Sequence, residues 1–286
     1  MQPATTMIPT SPAPAPLQRR QARSSREGWT KRCREPDQLL VLDIETIRDA
    51  RTPPSVAPDA FPKPVYHQVV TISYVVARIE TDPNGGERYV VERCRSGGEP
   101  GWSEAELVSG FWRYFSAGNY RLVTWNGARF DMAVLRHRAM LHGVETSTWY
   151  RRGDRWNGYG SRFSEEYHCD VMQCLSDRGG TQAMGLDETA RLLGLPGKVG
   201  AHGSLVDDLV KAGRLAEVNA YCECDALNTF LLYLRWSHLS GRCSREGHDN
   251  SARSLVDYLT YELRRAPHFG EFLEGWRDRF LEVGST

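Results

Sequence analysis

Four carboxylates and one phenol stand in three groups, Asp43-x-Glu45, Asn126-Gly127-x-x-Phe130-Asp131 and Tyr221-x-x-x-Asp225. Each spacing suits a different backbone. Residues two apart on a strand point to one face, and residues four apart on a helix share a side. Asp43 and Glu45 are therefore expected to project together from a strand, Tyr221 and Asp225 from a helix, and Asp131 from the first turn of another helix. Carboxylates that converge repel one another unless cations neutralise them. A hard oxygen donor set with few sulfur or imidazole neighbours favours Mg2+ or Mn2+ over Zn2+. The chemistry such a cage serves is phosphodiester cleavage.

Each group alone has a plainer reading: acids at a strand end, a first-turn Asp suited to the helix dipole, or a packed Tyr beside a solvated acid. All three in order are what argue for the cage. Other residues stay open between two roles. Asn126 is either a left-handed turn residue or a contact to substrate. Asp170 is either an orienter behind the cage or an acid at a helix N-terminus. Lys198, in a Gly- and Pro-containing loop, either meets a phosphate or is solvated. The stretch Trp149-Tyr150-Arg151-Arg152-x-x-Arg155-Trp156-x-x-Tyr159 interleaves bases and aromatics. That composition stacks unpaired nucleobases and neutralises a backbone, or else makes a partly buried loop with solvated arginines.

Those residues must be held by a domain, and the bulk sequence bounds it. At 286 residues, one domain of roughly 200 to 250 residues plus tails is expected. Lys+Arg and Asp+Glu number 36 each, so any contact with a polyanion must come from a local patch. Seven scattered cysteines make no paired framework and point to a reducing compartment, with the cytoplasm as the expected location. Cys222-x-Cys224 falls within a predicted helix, where neighbours two apart diverge, and makes a poor zinc clip. No run reaches the eighteen or so apolar residues of a membrane span, and no secretory signal is evident.

Residues 1–37 are rich in Pro, Ala, Ser, Thr and Arg and read as a disordered leader. Its basic excess either holds a polyanion loosely or is a solvated tail. The globular part is expected over 38–241. Leu39 to Glu45 is a nearly continuous apolar run, as in a central strand covered on both faces. Val69–Ala77 and Arg88–Arg93 form a hairpin across Asp82–Gly86, after a Pro-rich loop from Thr52 to Pro64. Ser103 and Glu106 make a capping box for a helix ending at Gly118. Tyr120–Trp125 is the next strand, and Phe130–His142 a helix stopped by Gly143. Helices follow at about 169–177, 186–193, 204–212 and 214–239. Two amphipathic stretches, 252–264 and 269–281, dock as an appendage within 242–286. This order predicts an α/β domain whose mixed central sheet is flanked by helices, a ribonuclease H-like fold.

With those elements in place, the chain resembles the DEDD superfamily of 3′-to-5′ exonucleases over about residues 39–241. Within it, the resemblance is to the stand-alone predicted exonucleases related to the proofreading domain of family B DNA polymerases. Leu42-Asp43-Ile44-Glu45-Thr46 is similar to the first motif, Leu122 through Asp131 to the second, and Tyr221 through Thr229 to the third. Ala220 stands where the histidine form of the third motif carries His, so the match is to the tyrosine form. His168–Met172 and Leu193–Lys198 also resemble the polymerase-related branch.

The resemblance implies a two-metal site taking Mg2+ or Mn2+. In it Asp43 bridges both ions, Glu45 and Asp225 complete one shell, Asp131 holds the second ion mainly through water, and Tyr221 orients the attacking water. Thr46, Asn126, Phe130, Arg151, Arg152, Arg155, Trp156 and Lys198 are the expected substrate contacts, with Asp170 behind the cage. The implied substrate is single-stranded or frayed DNA or RNA with a free 3′ end, cut to 5′-mononucleotides in a setting such as DNA repair. An RNA-trimming ribonuclease of the same superfamily and a catalytically silent binding module are the competing readings. The complete set of acids and Tyr221 argues against the second.

Overall fold

The computed structural model describes residues 35–57, 60–82, 85–98, 101–154, 156–198 and 205–283, the last seven by backbone alone. The leader up to residue 34 and Arg155 lie outside the described residues. Five strands form one sheet in the order β3-β2-β1-β4-β5. β1 (Gln38–Arg48) pairs antiparallel with β2 (His67–Thr81), which pairs antiparallel with β3 (Glu87–Ser96). On its other edge β1 runs parallel to β4 (Tyr120–Thr124), and β4 to β5 (His168–Asp170).

β1 is apolar on both faces because both are covered. Leu39 and Val41 enter one buried cluster with Val75, Val123 and the middle of α7 (Leu215–Leu239). Leu40, Leu42 and Ile44 enter a second cluster with α1 (Glu104–Ala117) and α2 (Asp131–Leu141). Alternation along the strand then sends Asp43 and Glu45 to the α7 side. The capping box at Ser103 is present, with Ser103 accepting from the Glu106 N–H and Glu106 accepting from the Ser103 N–H. The fold is α/β, a ribonuclease H-like mixed sheet flanked by helices.

Two elements differ from expectation. The helix predicted from residue 169 is a short strand, β5, followed by α4 (Val171–Leu175). His168, Cys169 and Asp170 are all buried beside β4, so tertiary pairing overrides local pattern there. The C-terminal stretch was expected as an appendage. Instead α8 (Arg245–Glu262) and α9 (His268–Val283) place Leu255, Leu259, Phe269 and Phe272, each fully buried, in the same cluster as the sheet. α8 also fixes β3, where Ser251, Ser254 and Tyr258 accept hydrogen bonds from the Tyr89, Val91 and Cys94 amides.

The remaining elements are short: α3 (Ser147–Arg151), α5 (Leu186–Leu192) and α6 (Val206–Lys211). Among the described residues no helix is long and apolar enough to cross a membrane.

Candidate metal centre

β4 ends at Thr124, one register step short of the Asp43 level on β1, so the backbone of β1 beyond Leu42 has no strand on that side. The chain fills the gap with a turn. Asn126 takes φ 64°, the left-handed region, where Asn is among the few residues tolerated. That turn delivers Asp131 to the first position of α2. The Asp131 carboxylate accepts from the Ile44 amide, between Asp43 and Glu45, and so bonds to β1 where the sheet leaves off.

Asp170 holds the same turn from behind. Its Oδ1 accepts from the Asn126 amide and its Oδ2 from the Ala128 amide, both at 2.9 Å, and Oδ1 also caps α4 through the Gln173 amide at 3.2 Å. One side chain thus bonds both the turn before α2 and the N-terminus of α4, and the Asn126 backbone has the left-handed turn conformation. Asp170→Ala removes two acceptor oxygens and the three hydrogen bonds they accept, and a loss of about 2 to 4 kcal/mol is expected. A chemical denaturation series would measure it. An unchanged midpoint would mean the turn holds itself.

Oxygen atoms of Asp43, Glu45 and Asp225 lie within 4.8 Å of one another. Asp131 stands beside this trio without joining it, yet close enough to raise the pKa of both Asp43 and Glu45. Burial, followed by the charges of Asp225, Asp131 and Glu45, pushes the Asp43 carboxyl well above the usual carboxylate range. Burial and Asp225 push Glu45 up to about 8, Lys198 opposing. Burial raises Asp131 to about 7 and Asp225 to about 6, the latter moderated by Lys198 and by a hydrogen bond from Tyr221. Four groups that each resist ionisation in one place are a site short of positive charge.

Lys198 supplies some of it. Its Nζ donates to the Tyr221 hydroxyl at 2.5 Å, lies 5.1 Å from the centre of that ring and stands 3.9 Å from Asp225 Oδ2. The loop carrying it is clamped at several points. Asn228 on α7 exchanges hydrogen bonds with both the N–H and the carbonyl of Gly197, and Asp187 accepts from the Lys198 amide. Gly197 has φ 69°, and a Cβ there would come within 2.7 Å of Asp187, so only glycine suits the clamp. Burial and the neighbouring acids Asp225 and Glu45 drive the Tyr221 phenol far above its ordinary value, which keeps it protonated.

Three contributors escape a reading of the sequence. The Cys222 thiol donates to Asp43 Oδ2 at 3.2 Å. Its place next to Tyr221 and one turn before Asp225 is the signal that could have found it. His67 sits between two expected contacts. Its Nδ1 bonds the Thr46 hydroxyl at 2.8 Å, and its ring meets Phe130 edge-on at 4.9 Å. Phe61, 78% exposed, extends that wall 5.7 Å from Phe130. No spacing rule links residues 46, 61, 67 and 130.

The aromatic and basic loop does not join the acids. Trp149 and Tyr159 are buried and stacked at 5.6 Å, and the Tyr159 hydroxyl bonds the Tyr120 carbonyl at 2.6 Å. Arg152 donates to the Gly118 carbonyl. These anchors lie at the start of β4, and the acids lie beyond its end. Arg151 and Trp156 are exposed.

The donor set fits a hard divalent cation: three carboxylates, no imidazole among them, and Asp225 Oδ1, which is buried without a hydrogen-bond partner. Residues 59–276 match the family described as predicted 3'-5' exonucleases related to the exonuclease domain of PolB. The matched stretch contains Asp131, Asp170, Lys198, Tyr221 and Asp225, while Asp43 and Glu45 precede it. No curated protein matches the chain.

Proposed function

Since the chain belongs to the predicted 3'-5' exonucleases related to the exonuclease domain of PolB, we propose that it is a metal-dependent hydrolase that removes 5′-mononucleotides from the free 3′ end of single-stranded or frayed nucleic acid. The observation that carries this reading is the convergence of Asp43, Glu45 and Asp225 within 4.8 Å around an unpartnered carboxylate oxygen, with Asp131 alongside.

Asp43, Glu45 and Asp225 would hold one divalent cation, and Asp43 with Asp131 the second. Two such ions, Mg2+ or Mn2+, offset the charge that develops on the phosphoryl and departing oxygens and lower the pKa of water. The rest falls to the protein. Tyr221 remains a phenol at neutral pH, which rules it out as the base; its hydroxyl, which here donates to Asp225 and accepts from Lys198, would orient the attacking water by turning its O–H to it. Lys198 presents a positive charge beside Asp225, where the scissile phosphate would lie. Cys222 fixes one oxygen of Asp43, and Asp170 fixes the turn into Asp131. Thr46, His67, Phe61 and Phe130 form a partly apolar wall suited to a terminal nucleoside. In the reaction the oxygen of water bonds to phosphorus, the bond from phosphorus to the 3′ oxygen breaks, and that oxygen takes up a proton.

A time course with 3′- and 5′-labelled DNA and RNA oligonucleotides in Mg2+ or Mn2+ tests the proposal. Mononucleotides should appear first from the 3′ end. Internal cuts or 5′ release would overturn the polarity. Preference for RNA would favour the RNA-trimming reading, and strand binding without any turnover would favour the silent module.

The raised carboxyl groups also fix a pH dependence. Their folded-state values, about 6 to about 8 for Asp225, Asp131 and Glu45, with Asp43 also raised well above the carboxylate range, exceed the unfolded ones near 4. The stability they contribute is therefore complete below about pH 4 and is lost as pH rises through 6 to 8. Cations bind the ionised forms, so the gain from Mn2+ should widen over that window, reaching about 2.7 kcal/mol at 100 times Kd. Melting curves from pH 5 to 8.5 with EDTA or Mn2+ measure this. A gap that narrows with rising pH contradicts the assignment.

A further inference from the structure

Behind Asp170 lies a cavity of about 440 Å3 whose walls include Arg129, Arg136, Arg162 and Arg178 against two acids, Glu165 and Asp170. Both acids are engaged: Asp170 with three backbone amides, and Glu165 with Arg178. The arginines thus outnumber the acids, and Arg129 and Arg162 are exposed to solvent. Nε2 of Gln173, on the same wall, is buried and has no hydrogen-bond partner.

At the edge stands Phe163, 75% exposed, with the guanidinium groups of Arg162 and Arg178 at 5.6 and 5.3 Å from its ring. Arg178 reaches that place from a left-handed turn in which Asp177 and Arg178 have φ of 48° and 56°. Non-glycine residues in this region carry strain that the surrounding structure must sustain.

Positive charge in excess, a buried donor without a partner and an exposed aromatic are the equipment of a single-strand track. The cavity shares Asp170 with the turn that carries Asp131, so it adjoins the acids, and the buried rings of Trp149 and Tyr159 form part of its wall. We propose that this cavity takes the phosphodiester backbone of the substrate strand where it approaches the metal centre, with Arg129 and Arg162 on its phosphates and a base stacked on Phe163. This rests on the nuclease reading above.

Binding of a fluorescent single strand to the full chain in Ca2+, titrated over salt, tests the proposal. Arg129→Ala/Arg162→Ala should flatten the dependence of log affinity on log salt by roughly 1.4, two contacts at about 0.7 each. Arg129→Lys/Arg162→Lys should keep most of it, and Arg253→Ala on α8 should change nothing. Phe163→Ala, at an exposed position, should weaken binding between about 5- and 150-fold with the slope intact.

Slopes and affinities equal to wild type in both the arginine and the Phe163 variants would overturn the assignment, as would a wild type that binds no strand. The nuclease reading fails separately: strand binding with these slope changes but no turnover in Mn2+ would remove hydrolysis and leave the track standing.

Discussion

Asp43→Ala or Asp225→Ala is expected to lower divalent-dependent release of mononucleotides by at least about 10^2- to 10^3-fold, the scale of losing one preorganised electrostatic group. Either change empties one corner of the trio. Its effect on the fold should be the reverse of its effect on turnover. Each carboxyl is held in a state that resists ionisation by burial and by its neighbours. Deleting one relieves the others, and in EDTA at pH 8 the variants should melt at or above the wild-type temperature. The rise that Mn2+ gives the wild type should disappear. Calorimetry together with the labelled-strand assay reads both quantities. Retained turnover in either folded variant would remove that residue from the centre.

Arg138→Met is the largest expected stability effect. Arg138 sits on α2, about two turns beyond Asp131 on the same face, and its side chain is 2% exposed. It donates to Asp49 Oδ2 at 2.5 Å and to both oxygens of Glu104, which in turn accepts from the Val69 amide at 2.7 Å and bonds His142. The group ties α2, α1, the residue following β1 and the start of β2 together under the site. Removing the cation leaves two buried carboxylates with fewer partners, a loss of about 3 to 5 kcal/mol. Asp49 keeps Arg51 and Glu104 keeps His142, which favours the lower end. Because α2 carries Asp131, turnover should fall as well, by about 10- to 100-fold, as for outer partners of metal ligands. A urea series compares the variant with wild type. A difference under about 1 kcal/mol would mean that the ion network is replaceable by apolar packing.

Much of the site could be read from spacing because spacing in regular structure fixes direction. Two residues on β1 and two on α7 share a face whatever the rest of the chain does, and a turn motif placed Asp131 at a helix start. The capping box at Ser103 was legible for the same local reason. Local pattern puts the β5 segment in a helix, since three residues carry no period and only their burial beside β4 makes them a strand. The last two helices were read as peripheral because an amphipathic pattern states that a face is buried without stating against what.

The sequence by itself determined which atoms could do chemistry: four acids and a phenol on elements whose spacing aims them, and a lysine in a loop. Only the tertiary structure decided what each one meets. It brought Lys198 onto Tyr221 and Cys222 onto Asp43, put Asp170 under the turn, anchored Arg152 and Tyr159 near the start of β4, and gathered Arg129, Arg162 and Arg178 around one cavity. These pairings cross between 16 and 179 residues of chain, and no local rule of backbone geometry reaches that far. They are settled by how two faces of one sheet are covered.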